Sequence, residues 1–325
     1  MAEKTVCPTR LPRRWIMWVT PLLLLLAAAA FIWWDLPSGS SFILRLRLTS
    51  LASLTLVGVA IGASTVAFHA ITQNRVVTPA LIGFDALYVF IQTALTFGLG
   101  ATASGLIWPP LMFFGNTLLM LILGGGLMWL MFRGGRSNLE FVLLVGIISG
   151  TVLRSLTSLL QNLIDPGEFQ VLQARIFASF ETVNRANLGV ASLVVLLGCL
   201  LLWSWRRYLD VLALGRDNAI SLGVDYRRWL IRVFVVVVAL VAAATALVGP
   251  VTFFGLLVAS LAYQLAPSDR HAYTLVLSGF FGALALVAGQ FILGRLLGYN
   301  TVLAVVVEFI GGLFFLHLLL FRKGN

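Results

Sequence analysis

The stretch WIMWVTPLLLLLAAAAFIWW, residues 15–34, consists almost entirely of apolar side chains. A helix needs about 20 such residues to cross the roughly 30 Å hydrocarbon layer of a membrane. Similar apolar runs recur along the chain as far as Phe321. We expect these runs to be helices, because lipid offers no hydrogen-bond partners to exposed backbone groups. The sequence therefore predicts an all-α integral membrane protein.

Composition supports the same class. The chain has 325 residues, of which 60% are hydrophobic and 10% charged, and its mean hydropathy is +1.01. Soluble domains are usually about a quarter charged. We predict a single transmembrane domain over residues 1–325, with a cytoplasmic N-terminal segment at 1–14. The basic residues before Trp15 resemble the start of a signal peptide, but the apolar run is long, so we interpret it as a retained first helix.

Proline, glycine and charge divide the chain into about ten spans. They lie near residues 15–34, 48–72, 80–99, 106–132, 139–163, 187–205, 229–248, 251–266, 272–297 and 301–321. The third and eighth are weak, so we expect partial or tilted helices there. Asp85, near the cytoplasmic start of the third, is interpreted as a solvated or capping carboxylate.

The distribution of positive charge predicts the orientation. With ten spans and a cytoplasmic N-terminus, most of the 22 Lys and Arg residues fall on the cytoplasmic side. Both termini and residues 213–229 would then be cytoplasmic, and residues 163–187 would face outward. The net charge of +10 is explained by orientation rather than by nucleic-acid binding.

Several kinds of chemistry have no visible residues to support them. No P-loop sequence GxxxxGK[ST] occurs, so we expect no ATPase site and no cofactor in this chain. His69, His271 and His317 are too scattered to suggest a metal cluster. Cys7 lies before the first apolar run and Cys199 lies inside a later one, so we expect no structural disulfide between them. These observations favour a transport subunit over an enzyme.

The fifth span carries a polar stripe. In GTVLRSLTSLLQNLID, residues 150–165, polar side chains recur at three- and four-residue steps and share one side of a helix: Thr151, Arg154, Ser155, Ser158, Gln161 and Asn162. We expect this side to face a cavity or another helix. Hydroxyls bonding back to their own helix would account for Ser and Thr, but not for Arg154 or Gln161. Glu308 lies at a similar depth, so we hypothesise an ion pair with Arg154 within or between subunits.

Four stretches carry a family resemblance. They are LALGRDNAISLGV at 212–224, GPVTFFGLLVASLAYQLAPSDRH at 249–271, VGVAIGASTVAFHAITQNRVVTPALIGFDALY at 57–88, and EFIGGLFFLHLLLFRKG at 308–324. Together they resemble the FecCD family, the permease subunits of bacterial ABC importers for iron chelates and vitamin B12. The family pattern departs at Arg75, Ala259 and Ser260, and GFDALY replaces its G-V-S-x-G-A. With the outer segment at 164–184, these departures look like the branch for catecholate and related ferric siderophores.

The resemblance implies a type II ABC importer permease in the bacterial cytoplasmic membrane. A second permease subunit, identical or related, would complete the pathway. Two cytoplasmic ABC ATPases would bind ATP and Mg, and an extracytoplasmic siderophore-binding protein would deliver the ferric chelate. The stripe on the fifth span and Glu308 would line the translocation path. Because such a path must release its cargo, we expect no high-affinity chelate site in this subunit.

The resemblance also implies two contact surfaces. The coupling segment, about residues 209–226, would contact the ATPase through a short helix, with this set of residues: Leu214, Gly215, Arg216, Asp217, Ala219, Ser221, Leu222 and Gly223. Its apolar side chains suit a groove on a partner, whereas a plain loop that only fixes topology would not need them. Arg47 and Arg295 align with arginines that dock the binding protein, while a second docking arginine is replaced by Ser50. Anchoring of helix ends at lipid headgroups is the alternative for both arginines.

Other interpretations remain open at this point. The cargo could be cobalamin or haem rather than a ferric siderophore. An ion-coupled secondary transporter, or a membrane enzyme or assembly factor, would account for the hydropathy but not for the four motifs.

Overall fold

The computed structural model describes residues 15–34, 41–100, 108–132, 139–176, 180, 183–296 and 302–321. This part of the chain forms thirteen α-helices and a 3-10 turn at Ala80–Ile82, in the order α1 (Ile16–Trp33), α2 (Ser41–Thr72), α3 (Phe84–Leu99), α4 (Pro109–Phe132), α5 (Leu139–Leu163), α6 (Pro166–Ile176), α7 (Arg185–Ser204), α8 (Arg206–Leu212), α9 (Arg216–Ser221), α10 (Tyr226–Val248), α11 (Phe254–Leu265), α12 (His271–Leu296) and α13 (Leu303–Phe321). Ten of them fall on the ten predicted spans. The expected N-terminal segment 1–14 lies outside the described residues.

Seven helices in the described ranges are long and apolar enough to cross a membrane, and three shorter apolar stretches of helix cover Phe84–Leu99, Phe254–Leu265 and Leu303–Leu316. α3 has 16 residues and α11 has 12. At 1.5 Å per residue these helices are about 24 and 18 Å long, less than the roughly 30 Å of hydrocarbon. Their lengths agree with the expectation that the third and eighth spans are partial.

The core is built on α2 and α10, the two most buried spans. α10 carries Val, Leu and Ala on most of its inner turns, and many of these side chains are fully buried. The largest interface between two helices joins α2 to α12. Gly58 lies against the backbone of Gly282, and Gly62 against that of Ser278, so closely that an added Cβ could not fit. Small residues thus let the two backbones approach each other, as is typical of membrane helices.

The start of α3 is fixed by glycine. Gly83 has φ +115°, a left-handed conformation that favours glycine. Its Cα packs against Gly150 of α5, and Ile82 packs against Gly146 one turn earlier in α5. This close approach brings the first turn of α3, including Asp85, into the interior of the bundle.

Side-chain contacts define two ends of the bundle. At one end, which we call the basic end, the connection after α2 meets the connection before α12 through Arg75 and Asp269, whose Nη2 and Oδ1 atoms are 3.7 Å apart. The residues between α7 and α10 lie at the same end, because Asp210 contacts His271. At the opposite end, Arg47 and Arg295 meet the last turn of α1.

Candidate translocation pathway and candidate coupling surface

The polar stripe of α5 is mostly uncovered in this chain. Thr151, Arg154, Ser155, Ser158 and Asn162 are exposed, whereas Gln161 is half-buried. Gln161 Nε2 lies 3.5 Å from Thr93 Oγ1 on α3. The structure therefore brings all six predicted residues to one helix face and leaves most of that face open.

Two of the stripe hydroxyls bond to their own helix. Thr151 Oγ1 donates to the carbonyl of Ile147 at 2.9 Å, and Ser155 Oγ donates to that of Thr151 at 3.1 Å. The self-bonding interpretation is thus right for these two hydroxyls. It leaves Arg154 unexplained, because a guanidinium exposed on a membrane helix requires water or a partner nearby.

Glu308 has a different partner from the hypothesised one. Its Oε1 accepts a hydrogen bond of 3.2 Å from the hydroxyl of Thr252, in the segment before α11. The ion pairs of the described residues do not include Arg154 with Glu308. The hypothesised pair, within or between subunits, stays a prediction.

Asp85 is more deeply buried than the sequence interpretation expected. It was expected to be a solvated or capping carboxylate, but it is only 9% exposed. Its Oδ2 is buried without a hydrogen-bond partner in the described structure. The hydroxyl of Thr252 is close enough to hydrogen-bond to its carboxyl group, and Glu308 and Arg154 lie within electrostatic range of it. The expectation failed because the tight glycine contact with α5, rather than the apolar pattern of α3, sets the position of this turn.

A small cavity lies beside Asp85 inside the bundle. It has a volume of about 20 Å³, which is room for one water molecule or ion. Asp85 lines it together with hydroxyl groups from α2, α10 and the irregular segments 73–79 and 249–253. These are Ser64, Thr65, Thr78, Thr245 and Thr252. Irregular backbone is tolerated at membrane depth where it is buried in protein or lines a cavity, and here residues 73–79 and 249–253 meet in that way.

At the basic end, α9 presents an apolar surface. The side chains of Leu214, Ile220 and Leu222 are 57%, 53% and 60% exposed. Gly215, with φ +98°, and Gly223, with φ +78°, bracket the helix in conformations that favour glycine. We call the three exposed side chains the apolar triad. Exposed Arg216, Asp217 and Ser221 surround it.

Ala219 differs from its expected role. It is fully buried, on the side of α9 that packs against its own chain, so it cannot belong to a contact surface in this conformation. Its carbonyl also accepts a hydrogen bond of 3.0 Å from the N–H of Val224. Ala219 therefore holds the coupling segment in place, and the exposed face consists of the apolar triad and its polar neighbours.

Asp210 ties this segment to the bundle, and the sequence alone did not single it out. Its Oδ1 accepts the backbone N–H of His271 at 2.8 Å and lies 2.7 Å from Nδ1 of the same residue. Asp210 therefore satisfies an N–H in the first turn of α12, where a carboxylate is favoured by the helix dipole. Burial opposes ionisation of Asp210, but the hydrogen bonds from His271 outweigh it and lower the pKa of the carboxyl group.

Arg75, which departs from the family motif, makes a second link at the basic end. Its guanidinium lies over the ring of Tyr263 at 4.4 Å and approaches Asp269. Just before it, Gln73 has φ +52°, and its side chain lies beside Gly215 at the start of the coupling segment. The end of α2 thus contacts both the coupling segment and the α11–α12 connection.

At the opposite end, Arg47 and Arg295 both meet the C-terminus of α1. Arg47 Nη1 donates to the carbonyls of Ile32 at 2.7 Å and Trp34 at 2.8 Å, and Arg295 Nη2 donates to that of Trp34 at 2.8 Å. The last carbonyls of a helix need such donors, and positive charge is favoured there. This capping role was not among the predicted ones. Docking of a binding protein by these arginines stays a prediction.

Together these features define a class of protein. A polytopic helical bundle with partial spans, an open polar helix face and an apolar surface at one end is a membrane transport subunit. The chain belongs to the FecCD transport family, whose model matches residues 13–321. It is the transmembrane permease subunit of an ABC importer.

Two relatives from Bacillus cover nearly the whole chain. The petrobactin import system permease protein YclO of Bacillus subtilis is 39% identical over 298 residues, which is 92% of this chain and 94% of that protein. The petrobactin import system permease protein FatC of Bacillus anthracis is 35% identical over 325 aligned positions, covering 96% of this chain and 90% of that protein.

A solved structure has the same fold. It is described as an inward-facing conformation of a metal-chelate type ABC transporter, and it superimposes with a TM-score of 0.80 at 24% identity, covering 94% of this chain and 99% of that one. This likeness confirms the predicted architecture.

Proposed function

We propose that this chain imports a ferric siderophore as one of two permease subunits in a bacterial cytoplasmic membrane. Petrobactin is the first siderophore to test, because two relatives that align along nearly the whole chain are named for its import. The exposed polar stripe of α5 supports a paired arrangement. A second subunit facing that stripe would enclose a path lined by hydroxyls, with Arg154 in contact with water rather than lipid.

Energy would come from two separate ABC ATPases at the basic end, which would face the cytoplasm together with both termini. The single observation that carries this assignment is the apolar triad of Leu214, Ile220 and Leu222, each more than half exposed. An apolar surface on an otherwise charged connection favours contact with a protein groove. The excess of arginine at this end agrees with a cytoplasmic location.

At the outer end, an extracytoplasmic binding protein would deliver the chelate to the surface around Arg47 and Arg295. Both guanidinium groups already cap α1, so they would hold that helix end in register for docking. Charged contacts of this kind act mainly on the rate and specificity of association. Docking should therefore weaken as salt concentration rises.

The test is uptake of labelled ferric siderophores by a deletion strain with and without this gene, co-expressed with its ATPase and binding protein. We expect gene-dependent uptake of ferric petrobactin and none of cobalamin or haem. Orthovanadate should block uptake. Gene-dependent uptake that persists with a catalytically inactive ATPase would contradict the proposal and favour an ion-coupled transporter.

A further inference from the structure

We propose that an anionic phospholipid binds in a groove between α2, α7 and α12, with an acyl chain in the groove and its phosphate group on Arg206. The groove has a volume of about 300 Å³, at the lower end of the range for small-molecule sites. Its lining residues belong neither to the polar face of α5 nor to the apolar triad. The inference therefore goes beyond the proposed transport function.

The groove has a floor of small residues beside a wall of leucines. α7 and α12 both pack against α2, and the groove is the space left where the three helices meet. Ala63 of α2 and Gly279 of α12 line it and are buried, whereas Leu196 and Leu200 of α7 line it and are 59% and 55% exposed. Its lining on α7 runs from Leu196 to Trp203, which is about 10 Å along the helix axis.

Size and chemistry favour a hydrocarbon chain as the occupant. The lining consists of Val, Ala, Leu, Cys, Gly, Phe and Trp residues. A helix about 10 Å in diameter and of the same length would fill about 800 Å³, so the groove is too small for a further transmembrane helix. Apolar surfaces also gain little by exchanging lipid for another apolar helix, because lipid tails are as apolar as Leu. A single acyl chain is thin enough to fit.

A positive charge stands at the basic end of the groove. Trp203 lines the groove in the last turn of α7, and the guanidinium of Arg206 lies 4.8 Å from the centroid of its ring. Arg206 Nη1 donates to the carbonyl of Trp203 at 2.9 Å. A guanidinium has five N–H groups, so others are available to a phosphate. Within the described ranges, Arg206 takes part in no ion pair. This charge complements a phosphate.

The surrounding aromatic residues indicate the depth of Arg206 in the membrane. Trp205 and Trp229 pack edge to face with their ring centroids 5.5 Å apart, and the guanidinium of Arg232 lies 5.0 Å from the ring of Trp229. Trp and Arg gather in this way at the level of lipid headgroups. The guanidinium of Arg206 therefore lies at headgroup depth, while the groove extends from it towards the bilayer centre. A phospholipid joins a phosphate to a chain with that spacing, and an anionic one suits the arginine best.

The test uses phosphatidylglycerol that carries a photoreactive diazirine in one acyl chain, with the full-length chain and its assembled partners in nanodiscs. Cross-links mapped by mass spectrometry should concentrate on residues 196–203 and 275–280. They should be about fivefold weaker when the surrounding lipid is unlabelled phosphatidylglycerol than when it is phosphatidylcholine, because one basic residue near the surface changes the affinity for an anionic lipid by about that factor. Equal cross-linking in the two lipids would overturn the proposal. An absence of cross-links in the groove would also overturn it and indicate that a protein segment fills the space.

Two variants with matched controls separate the headgroup from the chain. Arg206→Gln should remove the preference for phosphatidylglycerol, whereas Arg45→Gln, which removes an exposed charge at the opposite end, should keep it. Cys199→Phe should fill the groove and abolish cross-linking there, whereas Leu197→Phe, on an exposed part of α7 outside the lining, should keep it. A preference that survives Arg206→Gln would contradict the assigned phosphate contact. No siderophore enters these measurements, so the proposed transport function can fail or succeed independently.

Discussion

Asp210 shows how a single side chain can join a connection to the core of a membrane protein. It lies on the short helix α8 and bonds to the first residue of α12. Its folded-state pKa is lowered, so its contribution to stability is present above the ordinary carboxyl pKa of about 3.9 and is lost as pH falls through the folded value. The relevant window therefore lies below about pH 4.

We expect Asp210→Asn to reduce the free energy of unfolding at pH 7 by about 1 kcal/mol. Bonds to charged groups are worth more, but this side chain is 35% exposed and solvent screens it. The measurement is Tm of the two proteins in nanodiscs at pH 7 and pH 3. The difference should shrink at pH 3, below the ordinary carboxyl pKa of about 3.9, because the stability contributed by the ionised carboxylate is lost as pH falls towards its lowered folded pKa. A difference that stays constant with pH would show that the charge of Asp210 is unimportant.

The roles of individual residues were the hardest feature to predict from the sequence. The sequence of α3 predicted a solvated Asp85. Gly83 packs on Gly150 and draws this turn inward, and a linear sequence pattern does not reveal that contact. Arg47 and Arg295 aligned with docking positions, yet their hydrogen bonds to α1 depend on three helices meeting at one end. The polar face of α5 was predicted correctly, since helical spacing alone places its members together.

At the scale of elements, the coupling segment is the most testable. α9 has only six residues, too few to be stable alone, and Ala219 fixes it to the chain while the apolar triad points outward. A buried charge in an apolar interface costs several kcal/mol. Replacing one member of the triad with Asp should therefore disrupt the ATPase contact without disturbing the core.

We expect Leu214→Asp and Leu222→Asp to abolish siderophore uptake while membrane insertion and Tm of the permease are retained. ATP hydrolysis by the partner should no longer respond to the loaded binding protein. Arg207→Ala, which changes an exposed side chain on the neighbouring helix α8, is the control and should keep uptake. Normal transport in both Asp variants would show that the segment is an ordinary loop.

Hydropathy located ten helices because each span must satisfy its own backbone in lipid. The two weak spans were also recognised, since Pro79, Pro250 and Pro267 limit helix length. Hydropathy could not predict the structure of the connections between the spans. α6, α8 and α9 lie outside the apolar runs, and their positions depend on contacts such as that between Asp210 and His271.

At the scale of the whole molecule, two exposed surfaces differ in chemistry. The face of α5 is polar, which suits an aqueous path, and the face of α7 is apolar, which suits lipid. Ser158 lies on the polar face, and Leu200 of α7 is 55% exposed on the apolar one. A single chain does not reveal which exposed surface a second subunit covers. The sequence predicted a polar face but not its exposure, because exposure depends on the packing of α3 and α4 against the other side of α5.

We expect a Ser158→Cys variant, with Cys7 and Cys199 replaced by Ser, to react with a water-soluble maleimide in the assembled transporter. A matched Leu200→Cys variant should not react, because lipid excludes the reagent and suppresses thiolate formation. The measurement is the extent of labelling in membranes. Protection of both positions, or labelling of Leu200→Cys alone, would contradict an aqueous path along α5.

The close crossing of α2 and α12 has a consequence for synthesis on the ribosome. α2 leaves the translocon long before α12 exists, so the groove at Gly58 and Gly62 must wait in lipid without its partner. Two hydroxyls of α2 are satisfied within their own helix during that interval, because Ser53 donates to the carbonyl of Ser50 and Thr72 donates to that of Phe68. A nascent chain can therefore hold α2 in the bilayer until nearly the whole polypeptide has been made, and assembly of the core becomes a late event.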